Sequence, residues 1–305
     1  MGKTNHSFRD WVLATRPWSF PASAMPVGVT LVWVLSRQAE MGLQIAASDW
    51  LLGFWALLNI IAVHAAGNVW SDYFDYRKGV DAADTYGVRI LVDGVFEPGQ
   101  LLRFSVGLQI VAVALGITLV LLTGWPLLWI GLAGIMLSLL YPTLKYTALG
   151  DIVIMCCYAL LPMLGTTFIV TGSIMPEILW LAVPVGSITV AILHVNNTRD
   201  IETDRRAGIR TFAMLTGRSV AIYIYVFEVL MPYIWIAALC LTGRTAPTAL
   251  AVLLSLPIAI GNVRCILSLK TQGIAAIARL DEHTAKLQLV FSLLLMIGLA
   301  LSLLL

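Results

Sequence analysis

Residues 104–123 read FSVGLQIVAVALGITLVLLT, a run of twenty residues that contains no charged side chain. A helix needs about 20 apolar residues to cross a bilayer core about 30 Å thick, so this run predicts a membrane span. Eight more runs of this kind occur along the chain, and the sequence therefore predicts nine spans. The predicted spans are, approximately, residues 18–36, 50–70, 104–123, 125–141, 150–171, 178–197, 219–241, 245–264 and 285–305.

The composition of the 305-residue chain indicates the same fold class. Apolar residues make up 59% and charged residues 12% of the chain, whereas a soluble domain has about 45–50% and about 25%. This composition excludes a soluble enzyme and a disordered chain, and a net charge of +2 does not indicate a nucleic-acid partner. The four cysteines show neither metal-ligand nor disulfide spacing. We predict an all-α integral membrane protein, with residues 1–305 forming one bundle of about nine helices.

The distribution of basic residues predicts the orientation of the bundle. Every Lys and Arg except Arg37 and Arg244 falls on the side of the N-terminal tail and of the loops after spans 2, 4, 6 and 8. Because cytoplasmic loops carry an excess of Lys and Arg, the N-terminus is expected in the cytoplasm and the C-terminus outside. We therefore expect a multi-pass protein of the cell (inner) membrane, with its polar chemistry on the cytoplasmic side.

Two polar segments after spans 2 and 6 repeat one pattern. Residues 67–81 read GNVWSDYFDYRKGVD and residues 194–208 read HVNNTRDIETDRRAG, within predicted loops at about 68–103 and 196–218. An amide is followed four residues later by an aspartate, and a second aspartate comes three or four residues further on. Each copy continues with two basic residues and a glycine, so the segments form an internal repeat. The repeated positions are Asn68, Asp72 and Asp75, and Asn196, Asp200 and Asp204.

The spacing of the repeat indicates a metal-assisted diphosphate site. Residues at i, i+4 and i+7 or i+8 share one face of a helix, so each segment presents an amide and two carboxylates together. Clustered carboxylates repel one another unless a cation lies between them, and Mg²⁺ takes carboxylate, phosphate and water oxygens. Two facing clusters predict Mg²⁺ ions that clamp a diphosphate, with nearby Arg and Lys neutralising the remaining charge. A single such aspartate is typical of a solvated helix end, but two copies on one side favour function.

The two segments resemble the aspartate-rich motifs of the UbiA superfamily of intramembrane prenyltransferases, and the second resembles its menaquinone branch. Further matches are Arg16-Pro17, Tyr141-Pro142 and residues 145–151, KYTALGD. Two positions depart from the bacterial pattern and are closer to the animal-type members. Gly87-Val88-Arg89 replaces a Gly-Pro-x-Arg stretch, and Ile209 stands where bacterial members tend to have lysine.

The resemblance implies an enzyme that moves a polyprenyl group from polyprenyl diphosphate to 1,4-dihydroxy-2-naphthoate with Mg²⁺, giving demethylmenaquinone. Its partners would be these substrates and membrane lipid. Another aromatic acceptor, such as 4-hydroxybenzoate or homogentisate, is an alternative within the superfamily. A secondary transporter with inverted repeats is an alternative of another class, as is a scaffold without chemistry. The transporter is disfavoured because both clusters lie on one face and both repeats point the same way.

The resemblance also assigns expected roles to single residues. Asn68, Asp72 and Asp75 would hold one Mg²⁺, and Asn197 or Asn196 with Asp200 and Asp204 would hold the other. The residues expected around the diphosphate are Lys145, Arg205 and Arg210 as direct contacts, Arg199 in the same shell, and Arg16 and Arg89, for which lipid-headgroup anchoring is the alternative.

Several other polar residues lie near this predicted site. Asp151 is expected either to face the acceptor hydroxyl or to cap the N-terminus of span 5. His64 and His194 are expected to make buried hydrogen bonds rather than to bind Mg²⁺. The aromatic candidates for stabilising an allylic cation are Trp70, Tyr73, Phe74, Tyr141 and Tyr146.

Overall fold

The computed structural model describes residues 6–86 and 89–304, and Gly87 and Val88 of the departure noted above lie outside it. Within these residues the only pairing of extended backbone is an isolated bridge between Thr147 and Arg210. The α-helices are α1 Phe8–Ala14, α2 Pro21–Arg37, α3 Ala47–Lys78, α4 Pro98–Thr123, α5 Trp125–Lys145, α6 Gly150–Met155, α7 Leu161–Thr171, α8 Leu179–Arg199, α9 Ile201–Arg206, α10 Phe212–Thr216, α11 Arg218–Leu241, α12 Leu256–Gln272 and α13 Leu280–Leu301. Shorter turns of 3₁₀ helix cover Pro17–Ser19, Pro176–Ile178, Pro247–Ser255, Ile274–Ile277 and Ser302–Leu304, and a π-helical turn covers Cys156–Leu160.

Eight helical segments of the described chain are long and apolar enough to cross a membrane. A ninth span results if Phe8–Ser19 and Pro21–Arg37, which meet at a bend of 57°, are taken together. Proline has no N–H to give to a helix, so Pro17 and Pro21 both begin helical segments here. Arg16, just before the bend, adopts left-handed backbone with φ 54°. The all-α membrane fold is confirmed, with the first predicted span bent at its start.

The helix boundaries correct the predicted loops at both repeated segments. The second span does not end near residue 70, because α3 continues as one helix from Ala47 to Lys78 and carries Asn68, Asp72 and Asp75. In the second segment, α8 ends at Arg199 and the chain bends at Asp200 before α9 begins. The first motif is therefore a helical face, as its spacing predicts, but the second is interrupted at its central aspartate.

The core of the bundle surrounds α8. Buried side chains of α2, α8, α11 and α13 form one apolar cluster, and α13 packs against both α2 and α8. In the apolar stretch of the span that contains α8, 72% of the residues are buried. The corresponding share is 11% in α4 and 11% in α5. The outer faces of α4 and α5 are therefore suited to contact lipid, and α8 brings the second motif to the centre of the bundle.

Gly298 of α13 is required by a close approach to the 3₁₀ segment Pro247–Ser255. A Cβ atom at this position would lie 2.8 Å from the Ala249 Cα, a backbone atom that cannot move aside. We expect Gly298→Ala to lower the melting temperature in detergent, because overpacking costs about 1–3 kcal/mol. Gly261→Ala on α12 is the matched control, since nothing lies within 4 Å of its added Cβ. Equal melting temperatures for the two variants would contradict this packing.

Candidate functional site

The first motif forms one polar face of α3 and is supported by the N-terminal segment. The Asn68 side-chain amide donates from Nδ2 to the Thr15 carbonyl at 2.9 Å and to Ser19 Oγ at 3.1 Å. Because both bonds use the nitrogen, the Asn68 Oδ1 atom is left to accept from, or coordinate, a ligand. The orientation of this amide is thus fixed by residues that the sequence pattern does not include.

Asp72 is buried and forms an ion pair with Arg16. The Arg16 guanidinium contacts Oδ1, while Oδ2 is buried without a hydrogen-bond partner among the described residues. Arg16, expected near the diphosphate or at lipid headgroups, therefore lies beside a predicted metal ligand. An orphaned buried carboxylate oxygen is unfavourable unless a further ligand satisfies it.

Asp75 is the most fully bonded carboxylate of the site. Its Oδ2 accepts from Lys145 Nζ at 3.0 Å and from Ser71 Oγ at 3.1 Å, and its Oδ1 accepts from the Tyr146 hydroxyl at 2.8 Å. Burial, followed by the Asp75 charge, raises the pKa of the Tyr146 hydroxyl. Lys145 and Tyr146 come from the end of α5, so this ion pair ties α5 to α3 at the mouth of the site.

The second motif is shaped by Arg199. Its guanidinium donates from Nε to Asp200 Oδ1 at 2.8 Å and from Nη2 to Asp200 Oδ2 at 2.9 Å, a bidentate pair. Nη1 of the same side chain lies 3.5 Å from Asp281 Oδ2 at the start of α13. Arg199 therefore clamps the carboxylate at the helix break and joins it to α13.

Asp204, the last aspartate of the second motif, follows on α9 and is buried. Burial raises the pKa of Asp204 to about 7, even though nearby Lys145 lowers it.

The two amides of the second motif take different environments. Asn196 Oδ1 is buried without a partner among the described residues, whereas Asn197 Nδ2 lies 3.4 Å from Asp151 Oδ1. The other oxygen of Asp151 lies 3.0 Å from His194 Nδ1, and His194 Nε2 lies 3.1 Å from the Ala221 carbonyl. A carbonyl only accepts, so Nε2 carries a proton and Nδ1 shares one with Asp151. The expected buried hydrogen-bonding role of His194 is confirmed.

Glu228 of α11 lies close to the hydrogen-bonded residues Asp151 and His194. Its Oε1 lies 4.0 Å from His194 Nδ1, and the nearest ligand atoms of Asp151, His194 and Glu228 all lie within 4.8 Å of one another. Asp151 therefore bonds inward to His194 and Asn197 rather than only capping its helix. The Asn197 amide is thereby joined through Asp151 to buried polar groups of α8 and α11.

A cavity of about 620 Å³ lies between the two motifs. Six of the charged residues that line it are acidic and four are basic. The acidic residues are Asp75, Asp81, Asp200, Asp204, Asp281 and Glu282, and the basic residues are Arg16, Lys145, Arg199 and Arg279. Burial, with the neighbouring Asp75 charge, raises the pKa of Asp81 to about 6. An acid-rich cavity repels a bare diphosphate and attracts cations.

The donor atoms of the cavity fit hard divalent cations. Of the amides that line the cavity, Asn196 Oδ1 has no hydrogen-bond partner among the described residues, and Asn68 presents its Oδ1 from α3. Asp72 Oδ2 also has no partner there, but it belongs to a residue outside the cavity lining. Carboxylate and amide oxygens are the ligands that Mg²⁺ takes. Because these atoms come from both motifs, the structure brings together the two clusters that the sequence paired.

Three predicted basic residues are not brought into the cavity lining. Arg205 is exposed and pairs with Glu202 at 2.7 Å, and Arg89 lies 3.3 Å from Asp93. Arg210 is exposed, and its backbone N–H donates to the Tyr146 carbonyl. Their predicted diphosphate contacts stay predictions, whereas Lys145, Arg16 and Arg199 are placed beside the carboxylates.

Several residues that line the cavity were not predicted from the sequence. Asp81 stands six residues after Asp75 in the quoted motif and was recognisable as a further carboxylate. Asp281 is brought in by α13, from a distant part of the chain, and no local pattern marks it. His64 was expected only as a buried hydrogen-bonding residue, which is confirmed by its bonds to Ser23 and Ser19, and Tyr158 was not singled out.

Fold and site together define a multi-span membrane protein with an acidic cavity lined by residues of both repeated motifs. Residues 39–280 match the UbiA prenyltransferase family, and the chain belongs to that family. It is therefore a prenyltransferase, as the sequence predicts.

Two curated relatives cover nearly the whole chain. UbiA prenyltransferase domain-containing protein 1 of Mus musculus is 34% identical over 97% of this chain and 85% of its own length. The 1,4-dihydroxy-2-naphthoate octaprenyltransferase of Bacillus subtilis is 28% identical over 96% of this chain and 92% of its own length.

Solved structures share the fold. A UbiA homologue from Archaeoglobus fulgidus bound to GPP and Mg²⁺ superposes with a TM-score of 0.60 at 12% identity, covering 93% of this chain and 99% of the homologue. An apo homologue from Aeropyrum pernix gives a TM-score of 0.62 at 17% identity, covering 94% and 98% of the two chains. The prediction of Mg²⁺ agrees with the ion bound in the Archaeoglobus protein.

Proposed function

We propose that this protein transfers a polyprenyl group from polyprenyl diphosphate to 1,4-dihydroxy-2-naphthoate, with Mg²⁺, to give demethylmenaquinone in its reduced quinol form. The diphosphate leaves from the prenyl carbon, and the carboxyl group of the naphthoate leaves as CO₂. The observation that carries the proposal is the acidic cavity between two Asn/Asp clusters, with Lys145 on one wall. The Bacillus relative, named for a naphthoate acceptor, and the form of the second motif support this acceptor. The positive-inside pattern supports a site on the cytoplasmic face of the cell membrane.

The charged wall would bind and orient the diphosphate. Asn68, Asp72 and Asp75 on one side, and Asn196 or Asn197, Asp200 and Asp204 on the other, would hold the metal. Bound Mg²⁺ would neutralise phosphate charge and so favour departure of the diphosphate.

The Lys145 ammonium group adds a positive charge to the residues that would bind the diphosphate. One ammonium proton of Lys145 is used on Asp75, and the group has two further donors to offer the phosphate oxygens. As the allylic C–O bond lengthens, this fixed positive charge stabilises the developing negative charge on the leaving group.

The protein purified in detergent is expected to form one lipid product from Mg²⁺, 1,4-dihydroxy-2-naphthoate and a polyprenyl diphosphate. Mass spectrometry should identify that product as the 1,4-dihydroxynaphthalene ring, without its carboxyl group, joined to the chosen prenyl chain, or as the quinone that air oxidation forms from it. Parallel reactions with 4-hydroxybenzoate and homogentisate test the alternative acceptors. A product from either of these, and none from the naphthoate, would overturn the assignment of the acceptor.

A further inference from the structure

Below the charged wall, the cavity continues into the membrane-spanning part of the bundle. His64 lies on α3 four residues before Asn68, which places it about 6 Å deeper along the helix. Apolar residues that also line the cavity include Val63, Ile154 and Ile192. The depth matches a group that must lie next to the allylic carbon when the diphosphate is held among the carboxylates.

Tyr158 packs against His64 in the lining of this deeper part and stands on an irregular turn. The turn Cys156–Leu160 is π-helical and divides the span Gly150–Thr171. Such turns occur frequently at functional sites. Gly186 of α8 lies against the turn, where a Cβ would come 2.7 Å from the Ala159 Cβ. The backbone thus departs from α-helical geometry at the residues that line the cavity.

The imidazole of His64 is fixed at both nitrogens. Nε2 lies 3.3 Å from Ser19 Oγ, and Nδ1 lies 2.8 Å from Ser23 Oγ. Each serine hydroxyl also donates to a backbone carbonyl, Ser19 to Arg16 at 2.8 Å and Ser23 to Phe20 at 3.2 Å. The ring lies 4.4 Å from the Tyr158 ring, tilted by 33°. His64 therefore acts as a positioning residue that holds the Tyr158 ring in place.

The Tyr158 hydroxyl, in contrast, has no hydrogen-bond partner among the described residues. It points into the cavity near Gly67, where an added Cβ would lie 3.9 Å from the hydroxyl oxygen. Burying a phenol hydroxyl without a hydrogen-bond partner carries a free-energy cost. A polyprenyl tail packed over it would impose that cost, because a hydrocarbon offers neither donor nor acceptor. A planar ring with oxygen substituents would remove it.

We propose that Tyr158 forms the acceptor subsite, its hydroxyl hydrogen-bonding a ring hydroxyl of a hydroxylated aromatic compound that stacks in the deeper cavity. The inference rests on the proposed function, since it places the acceptor of that reaction. It adds a binding residue in the span after α5, outside both aspartate motifs. Gly67, without a side chain, leaves the room that such a ring requires.

Tyr158→Phe tests the subsite by removing only the hydroxyl. Losing one neutral hydrogen bond of about 1 kcal/mol weakens binding about fivefold. We expect the KM for 1,4-dihydroxy-2-naphthoate to rise about fivefold or more, while the KM for the diphosphate stays within twofold of the wild-type value. Tyr223→Phe is the matched control, because it removes an exposed hydroxyl that contacts Lys270. An unchanged acceptor KM in Tyr158→Phe would overturn the proposal.

Analogues of the acceptor identify the bond directly. In the naphthoates that carry only the 1-hydroxyl or only the 4-hydroxyl, one compound lacks the oxygen that Tyr158 contacts. That compound should be used equally well by wild type and Tyr158→Phe, whereas the other should retain the fivefold difference. A fivefold loss for every analogue would indicate an indirect effect on the fold and would also overturn the proposal.

Equilibrium binding separates the subsite from the reaction. Titration calorimetry of the acceptor, in detergent and without diphosphate, should give a Kd about fivefold weaker for Tyr158→Phe than for wild type. If no prenylated product forms but this difference is found, the proposed function fails and the subsite stands. If Tyr158→Phe does not fold, Gly67→Ala replaces it, and its methyl group should weaken acceptor binding while leaving diphosphate use intact. Unchanged binding in Gly67→Ala would then reject the subsite.

Discussion

Asp75→Asn and Asp204→Asn are each expected to abolish measurable prenyl transfer while leaving the bundle folded. Each change keeps the side-chain size but removes one carboxylate charge from one wall of the cavity. Removing a group that stabilises transition-state charge lowers kcat by about a hundred- to a thousandfold. The measurement is kcat at saturating substrates over a range of Mg²⁺ concentrations. Binding of Mn²⁺, followed by electron paramagnetic resonance, gives a second readout that does not require turnover.

Asp84→Asn is the control for these two variants. Asp84 lies close in sequence to the first motif but outside the cavity lining, where it pairs with the exposed Arg206 at 2.6 Å. It should keep wild-type kcat and Mn²⁺ affinity. If Asp75→Asn or Asp204→Asn kept wild-type activity at limiting Mg²⁺, the two-sided clamp would be wrong.

Lys145→Met is expected to lower kcat by more than tenfold, with a smaller effect on the KM for the acceptor. The ammonium group is largely buried beside Asp75, and an interaction that strengthens in the transition state acts on kcat. Methionine keeps most of the side-chain volume, so the loss reports the charge. The measurement is kcat per correctly folded molecule, with folding checked by gel filtration.

Two further variants test what Lys145 does. Lys145→Arg retains a positive charge and should recover part of the lost kcat. Lys270→Met removes an exposed lysine that rests over the Tyr223 ring and should have no effect on kcat. If Lys145 were only an anchor for lipid headgroups, its loss would alter membrane insertion and leave kcat within twofold of the wild-type value.

The sequence was sufficient to predict the spans and the first motif because both depend on local patterns. Twenty apolar residues specify a membrane helix, and a spacing of four and three places Asn68, Asp72 and Asp75 on one face of α3. The break at Asp200 was not predictable, because nothing near residue 200 is a helix-breaking residue. It depends on the Arg199 clamp to Asp281 of α13, a contact between distant parts of the chain.

The hydrogen-bond and ion-pair partners of the predicted site residues also could not be predicted from the sequence. Arg16 reaches Asp72 through the bent N-terminal segment, and Asp151 bonds to His194 and Asn197 of α8 rather than to groups near it in the chain. The π-helical turn that presents Tyr158 ends just before Pro162, a residue that lacks the N–H for a regular helix, but the sequence does not indicate that Tyr158 lines the cavity. Tertiary contacts, not local propensity, decide these features.

The excess of acidic residues in the cavity has a thermodynamic consequence. Six carboxylates against four cations make the empty cavity unfavourable for a diphosphate, and diphosphate makes the same cavity more favourable for divalent ions. The two ligands are therefore coupled: each raises the affinity for the other by the same factor, because binding linkage is reciprocal. Inorganic diphosphate should in turn leave more readily when free Mg²⁺ is low, so that metal supply governs how long the product occupies the enzyme.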